Sequence, residues 1–165
     1  MFDTAGKEMV CYYGTWAVYR PGAGKFDVEN IDPTLCTQIV YGFVGLGNDN
    51  KIRVLDAWND LYDNWGKGAM VRFVGLKSQN PTLKALVAIG GWNEGSTKYS
   101  NMAATAVSRQ IFVQSAVNFL QTHGFDGLDM DWEYPANRGG IAEDRVSGGN
   151  FYRKSLGTKI ERHVS

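Results

Sequence analysis

Three acidic residues stand two positions apart in the segment Phe125 to Pro135, FDGLDMDWEYP. On a β-strand, side chains alternate between the two faces, so Asp129, Asp131 and Glu133 would share one face. Neighbouring carboxylates on that face would lie about 7 Å apart along the strand. A row of acids beside apolar residues is costly unless the acids share protons or bind something. This segment is therefore the first candidate for a site of chemistry.

Three roles fit such a row of acids. The first role is protection of the edge strand of a sheet from aggregation, for which proteins use charged residues. This role fits poorly, because the other face of the strand is largely apolar and carries Leu128, Met130 and Trp132 together with Asp126. A Mg²⁺ or Ca²⁺ site is the second role, although the segment lacks obvious further ligands. The third is acid–base chemistry at the carboxyl end of a barrel strand, where the catalytic residues of (β/α)₈ barrels lie. Glu133 is the last acid and would lie nearest the mouth of such a barrel.

Acid–base chemistry by these residues has a geometric constraint. Close acids raise the pKa of at least one of them, and a carboxyl that stays protonated near neutral pH is a general acid. Ordinary glycosidases place two carboxyl groups on opposite sides of the scissile bond. Asp131 and Glu133 lie on one face of one strand and are poorly placed to flank a sugar in that way. The nucleophile would then come from elsewhere, and the acetamido group of an N-acetylated sugar is one source.

The elements that position these acids are predicted from apolar periodicity. Short apolar runs bounded by Gly or Pro predict strands buried on both faces, as in a parallel sheet. The predicted strands are Met9–Tyr13, Gln38–Val44, Ala85–Ile89 and Gly127–Trp132. Helical patterns with stop signals predict helices between them, at Asn30–Leu35 with Asp32 as N-cap, at Lys67–Ser78 and at Thr105–Thr122 with Gly124 as C-cap. The Gly-, Asn- and Asp-rich stretch Gly45 to Asn64 is expected to be a surface loop.

Strands that alternate with helices predict an α/β fold with a parallel sheet. Four strands are half of a closed (β/α)₈ barrel, which typically has about 250 residues. An open four-stranded α/β sheet is the alternative that fits a chain of 165 residues without further strands.

The segment FDGLDMDWEYP resembles the signature of glycoside hydrolase family 18, the chitinases and chitinase-like lectins. The segments Cys11–Pro21, Val40–Val44 and Ile89–Asn93 are similar to the first three strands of that family and the loops after them. The resemblance covers about Lys7 to Arg145, and the amino-acid sequence is most similar to those of arthropod chitinases. It implies a TIM-type (β/α)₈ barrel, of which this chain carries a truncated half with about four β/α units.

The resemblance also implies roles for individual residues. Glu133 would donate a proton to the glycosidic oxygen, while Asp131 would orient the acetamido group and share a proton with Asp129. Lectin-like members commonly replace the residue at the position of Glu133, so its presence argues for hydrolysis. The substrate-binding residues implied are Tyr12, Trp16, Gly91, Trp92 and Tyr134.

The activity implied is that of an endochitinase. It would hydrolyse β-1,4 N-acetylglucosamine linkages in chitin or chitooligosaccharides with retention, by substrate-assisted catalysis, without a cofactor or a metal. The chain departs from the family pattern after Arg145, so we expect residues 1–145 to form a partial catalytic barrel and residues 146–165 a poorly ordered tail. Activity of this chain alone is therefore in doubt, and a non-catalytic, lectin-like chitin-binding fragment is the alternative.

Composition excludes some partners and bears on the compartment. A net charge of zero gives no reason to expect binding to nucleic acid or to an anionic membrane. The segment Met1 to Glu8 has no apolar core of a signal peptide, so the chain is cytosolic or its secretion signal lies outside this sequence. The two cysteines, Cys11 and Cys36, permit one disulfide or two buried thiols. The resemblance to a secreted family implies an extracellular location and a Cys11–Cys36 disulfide.

Overall fold

Four parallel strands and one short antiparallel strand form the sheet. A computed structural model of the protein describes residues 7–145. The strands are β1 (Val10–Gly14), β2 (Gln38–Leu46), β3 (Ile52–Arg53), β4 (Lys84–Gly90) and β5 (Gly127–Asp131). The parallel strands run in the order β1-β2-β4-β5, and β3 pairs antiparallel with β2. The four parallel strands are those predicted from the sequence, whereas the predicted tail, 146–165, lies outside the described residues.

Helices connect the strands and pack on one face of the sheet. They are α1 (Ala57–Asp60), α2 (Ala69–Gly75), α3 (Thr97–Ala104) and α4 (Ala106–His123). Short 3₁₀ turns lie at Thr15–Tyr19, Gly22–Gly24, Val28–Asn30, Asp63–Trp65, Leu76–Ser78 and Trp92–Glu94. A parallel sheet with crossover helices corresponds to about half of a (β/α)₈ barrel.

The hydrophobic core lies between the helices and one face of the sheet. Alternate strand residues point into it, among them Tyr41 from β2 and Ile89 from β4. Phe73 of α2 packs edge-on against Tyr41 with ring centroids 5.2 Å apart. The opposite face of the sheet, here called the open face, carries Tyr12, Val40, Ala88, Asp129 and Asp131, which alternate with the core residues.

The long helix α4 confirms the sequence prediction to within about one residue at each end. Thr105 is its N-cap, because its Oγ1 accepts the Ser108 N–H at 3.0 Å. Gly124 ends the helix in the left-handed conformation, with φ of 76°, and its N–H donates to the Leu120 carbonyl at 2.8 Å. This ending aims the chain directly into β5.

The prediction of a helix at Asn30–Leu35 is wrong. The 3₁₀ turn ends at Asn30, and the next residues form a tight turn. Asp32 Oδ1 accepts the Thr34 N–H at 2.9 Å and the Thr34 hydroxyl at 2.7 Å. A short Asp side chain that bonds to the backbone two residues ahead favours a turn over a helix.

The stretch Gly45 to Asn64 is more than a surface loop. It contains β3 and α1, and the side chains of Asn59 and Asp60 are buried. The Tyr41 hydroxyl donates to Asp60 Oδ1 at 2.5 Å, and burial raises the pKa of Asp60. Local composition gave no signal for this burial, because it depends on a tyrosine in another element.

Candidate active site

Strand β5 places the acids as their spacing predicts. Leu128 and Met130 pack against the core, so Asp129 and Asp131, which each follow one of them, lie on the open face. Glu133 follows two residues beyond Asp131, just past the carboxyl end of the strand. This is the end at which the loops of a parallel barrel form its mouth.

Asp126 lies on the opposite side, as predicted, and anchors the start of β5. Its Oδ2 is 3.0 Å from Lys77 Nζ and accepts the Ala85 N–H at 2.8 Å. Asp126, the single acid of the segment on the helix side, is therefore paired with a lysine, whereas within residues 7–145 neither Asp129 nor Asp131 forms a salt bridge with a Lys or Arg. This difference separates a structural carboxylate from candidate chemical ones.

A row of small residues crosses the sheet towards Asp129. In the register of the sheet, Gly14 pairs with Gly42, Gly42 with Ala88, and Ala88 with Asp129. No side chain larger than a methyl group projects from this row next to the carboxylate. Sequence reasoning missed the row, because its members come from three separate segments of the chain.

Tyr12 projects from β1 towards the acids. Its hydroxyl donates to Asp129 Oδ2 at 2.7 Å. Burial, the hydrogen bond to Asp129 and the charges of Asp129 and Asp131 raise the pKa of Tyr12, which keeps it a neutral donor. The family resemblance implied a sugar-binding role for Tyr12, and the structure adds a direct hydrogen bond to Asp129, the first acid of the row.

The surroundings of Asp131 disfavour its ionisation. Burial raises the pKa of Asp131, and the charges of Glu133 and Asp129 raise it further. The prediction that at least one member of the row has a raised pKa is therefore supported.

We expect Asp131→Asn to stabilise the protein near neutral pH. The unfolded chain ionises this carboxyl at a lower pH than the folded protein, so ionisation favours unfolding. The penalty is absent below the ordinary Asp pKa of about 4 and grows as the pH rises through the raised value. Thermal unfolding should give a higher Tm for the variant at neutral pH and an equal Tm near pH 3. Asp63→Asn, at an exposed position, is the matched control; a lower Tm for Asp131→Asn at neutral pH would contradict the prediction.

Aromatic side chains surround the acids on the loops that follow the strands. Trp16 stacks parallel to Phe43 with centroids 6.2 Å apart and lies over Gly14. Its side chain, like those of Trp92 and Tyr134, is more than half exposed. Exposed indole and phenol rings beside a polar cleft are suited to stack on sugar rings.

Glycines bring β4 against β5 where the acids lie. Gly91 has φ of 81°, and its N–H donates to the Asp131 carbonyl at 2.8 Å. A Cβ at Gly90 would lie 2.1 Å from that same carbonyl oxygen, so the backbones could not approach this closely with any side chain there. Gly91 therefore positions Asp131 through the backbone.

Buried polar residues tie the loops after β4 and β5 together. Ser96 Oγ accepts the Trp132 indole N–H at 3.0 Å and donates to the Tyr134 carbonyl at 2.8 Å. Asp144, also buried, accepts the Ser100 hydroxyl at 2.6 Å and the Ile141 N–H at 2.8 Å. Sequence reasoning missed both, because lone Ser and Asp residues in loops carry no distinctive pattern.

Residues 7–145 carry neither a metal cluster nor a membrane-spanning helix. In that part of the chain, no group of three or more His, Cys, Asp or Glu side chains is placed to hold a metal ion. Its helices are too short or too polar to cross a membrane. The predicted disulfide is present, with Cys11 and Cys36 Cα atoms 6.1 Å apart.

Comparison with known proteins gives concordant matches. Residues 8–156 match the family described as Glycosyl hydrolases family 18. The chain is 49% identical over 160 residues to Probable chitinase 2 of Drosophila melanogaster, covering 95% of this chain and 32% of that protein. It is 44% identical over 141 residues to the Endochitinase of Manduca sexta, covering 84% of this chain and 25% of that protein. The solved Group IV chitinase of Ostrinia furnacalis in complex with allosamidin superposes with a TM-score of 0.88 at 41% identity, over 96% of this chain and 42% of that one. The chain thus spans a third or less of these curated relatives.

Proposed function

Because the chain belongs to glycosyl hydrolase family 18, we propose that it supplies the acid-bearing half of a chitinase active site. The reaction is hydrolysis of β-1,4 linkages between N-acetylglucosamine units, within chitin chains and with retention of configuration. The observation that carries the proposal is the row of acids on the open face, with Glu133 at the carboxyl end of β5.

In this reaction Glu133 donates its proton to the glycosidic oxygen as the bond breaks. The substrate's acetamido oxygen attacks the anomeric carbon from the other face as the bond to the leaving sugar breaks, so no second enzyme carboxylate is needed as nucleophile. Water then attacks the same carbon and reopens the ring formed by the acetamido group, and Glu133 takes up the proton of that water and so regains its acid form. Asp131 orients the acetamido group and shares a proton with Asp129. The raised pKa of Asp131 favours such sharing, because the two carboxylates would repel each other if both were charged.

The aromatic residues hold the sugar chain in register. Trp16 and Trp92 offer exposed indole faces on the loops after β1 and β4, and Tyr134 offers a phenol next to Glu133. Tyr12 fixes Asp129, and Gly91 holds the backbone of Asp131. The substrate class, N-acetylated rather than plain glucan, follows from the need for an acetamido nucleophile.

A non-catalytic chitin-binding fragment is the second candidate function. It is favoured by the two open edges, since β1 and β5 have no outer neighbour among residues 7–145. The acids then face solvent on one side, and catalysis requires groups held within about 0.5 Å on all sides of the substrate.

Product analysis separates the two candidates. We expect a protein with the completed barrel to cleave penta-N-acetylchitopentaose and to release the β-anomer first, as followed by proton NMR. The 165-residue chain should bind the same sugar in calorimetry but show little turnover, since it supplies only the acid-bearing half of the active site. Initial release of the α-anomer would contradict the substrate-assisted mechanism, and absence of sugar binding by both proteins would contradict both candidates.

We further propose that the protein acts outside the cell. A disulfide between Cys11 and Cys36 persists in oxidising compartments and is rare in the cytosol. The proposed substrate of the protein, chitin, is an extracellular polymer. The proposed function involves no nucleic-acid or membrane partner.

A further inference from the structure

Arg138 lies on the loop after β5 and covers one face of Trp92, which lies on the loop after β4. The centre of its guanidinium group is 3.5 Å from the centroid of the Trp92 ring. Its Nη1 also donates to the Trp92 carbonyl oxygen at 2.8 Å. A single side chain thus holds both the ring and the backbone of the tryptophan.

Arg138 is itself fixed between the two loops. Its Nη1 lies 3.4 Å from the carbonyl oxygen of Glu133, a long second contact. Its own carbonyl accepts the N–H of Ser96 at 3.1 Å, and the Ser96 side chain is buried. Contacts at both ends of Arg138 therefore join the loop of the aromatic ring to the loop of the acid.

Trp92 remains 62% exposed although the guanidinium covers one ring face. The opposite face is therefore open to solvent. An exposed indole ring without a partner would sample several rotamers, and ordering it on binding would cost conformational entropy. The planar guanidinium limits this freedom in advance, which a flexible Lys ammonium would do less well.

We propose that Arg138 is a positioning residue that holds Trp92 as a platform for an N-acetylglucosamine ring and fixes it relative to Glu133. The inference rests on the proposed function, because it presumes that the ring face of Trp92 opposite Arg138 receives a sugar. Arg138 itself does not touch the sugar in this arrangement.

The test uses the 165-residue chain with Arg138→Met, which keeps the length of the side chain but removes its charge and its donors. Arg145→Met, at an exposed position, is the matched control. The first measurement is the indole N–H resonance of Trp92 in the free protein, assigned with Trp92→Phe. It should shift in Arg138→Met and stay in place in Arg145→Met. The second is the Kd for penta-N-acetylchitopentaose, which Arg138→Met should raise roughly three- to tenfold.

A double-mutant cycle shows whether the effect acts through the ring. On the Trp92→Ala background, Arg138→Met should change the Kd by less than about twofold, and Arg138→Lys should restore only part of the wild-type affinity. An equal loss on both backgrounds, or an unshifted Trp92 resonance, would overturn the inference alone. A Trp92→Ala variant that binds the sugar as tightly as the wild type would overturn the sugar-binding role of Trp92 and the inference with it.

Discussion

Glu133→Gln in a protein with the completed barrel should lower kcat for chitooligosaccharides by about 10²–10⁴-fold. Gln keeps the shape of the side chain but has no acidic proton for the glycosidic oxygen. The loss should therefore fall on the chemical step, with the Kd for penta-N-acetylchitopentaose changed by no more than about twofold. Single-turnover kinetics and calorimetry on the same variant measure the two quantities separately.

Glu143→Gln is the matched control, since it makes the same change at an exposed position ten residues further along the chain. It should leave kcat within about twofold of the wild type. An equal loss of binding and turnover in Glu133→Gln would mean that Glu133 acts mainly in holding substrate. Unchanged turnover would remove it from the reaction altogether.

Replacing both cysteines with alanine should lower the free energy of unfolding by about 3.5 kcal/mol. The disulfide closes a loop with a sequence separation of 25 residues and ties β1 to the turn before β2. Opening it gives the unfolded chain more conformational freedom than the folded protein gains. Cys36 is also buried, so loss of its sulfur adds a packing cost. Chemical denaturation monitored by tryptophan fluorescence gives the free energy directly.

Reductant provides the control for the cysteine prediction. It should lower the denaturation midpoint of the wild-type protein and leave that of the Cys11→Ala, Cys36→Ala variant unchanged. The Cys11–Cys36 disulfide lies towards the amino ends of β1 and β2, whereas Asp131 and Glu133 lie at the carboxyl end of β5. Sugar affinity well below the unfolding temperature should therefore be retained. A wild-type midpoint that does not respond to reductant would contradict the prediction.

The parts of the fold that sequence predicted best have local causes. The four parallel strands follow from apolar runs between Gly and Pro, and helix α4 follows from a capped amphipathic stretch ending at Gly124. Where the signal was weak, prediction failed. Asp32 favoured a turn rather than a helix, and α3 was missed because its sequence, TKYSNMAA, mixes polar and apolar residues, although Tyr99 and Met102 are fully buried.

The sequence alone determined which acids share a face, because alternation along a strand depends only on positions within that strand. It placed Asp129, Asp131 and Glu133 together and Asp126 apart, and the structure places Asp129 and Asp131 on the open face, opposite Asp126. The family signature then gave these acids their proposed roles.

The groups that support the acids come from distant parts of the sequence. Tyr12 and Asp129 are 117 positions apart in the sequence, and their hydrogen bond exists because the register of β1, β2, β4 and β5 brings them together. The contact between Arg138 and Trp92 depends likewise on the conformations of two separate loops. Such pairings arise from packing between distant segments, and no local period in the sequence encodes the relative position of those segments.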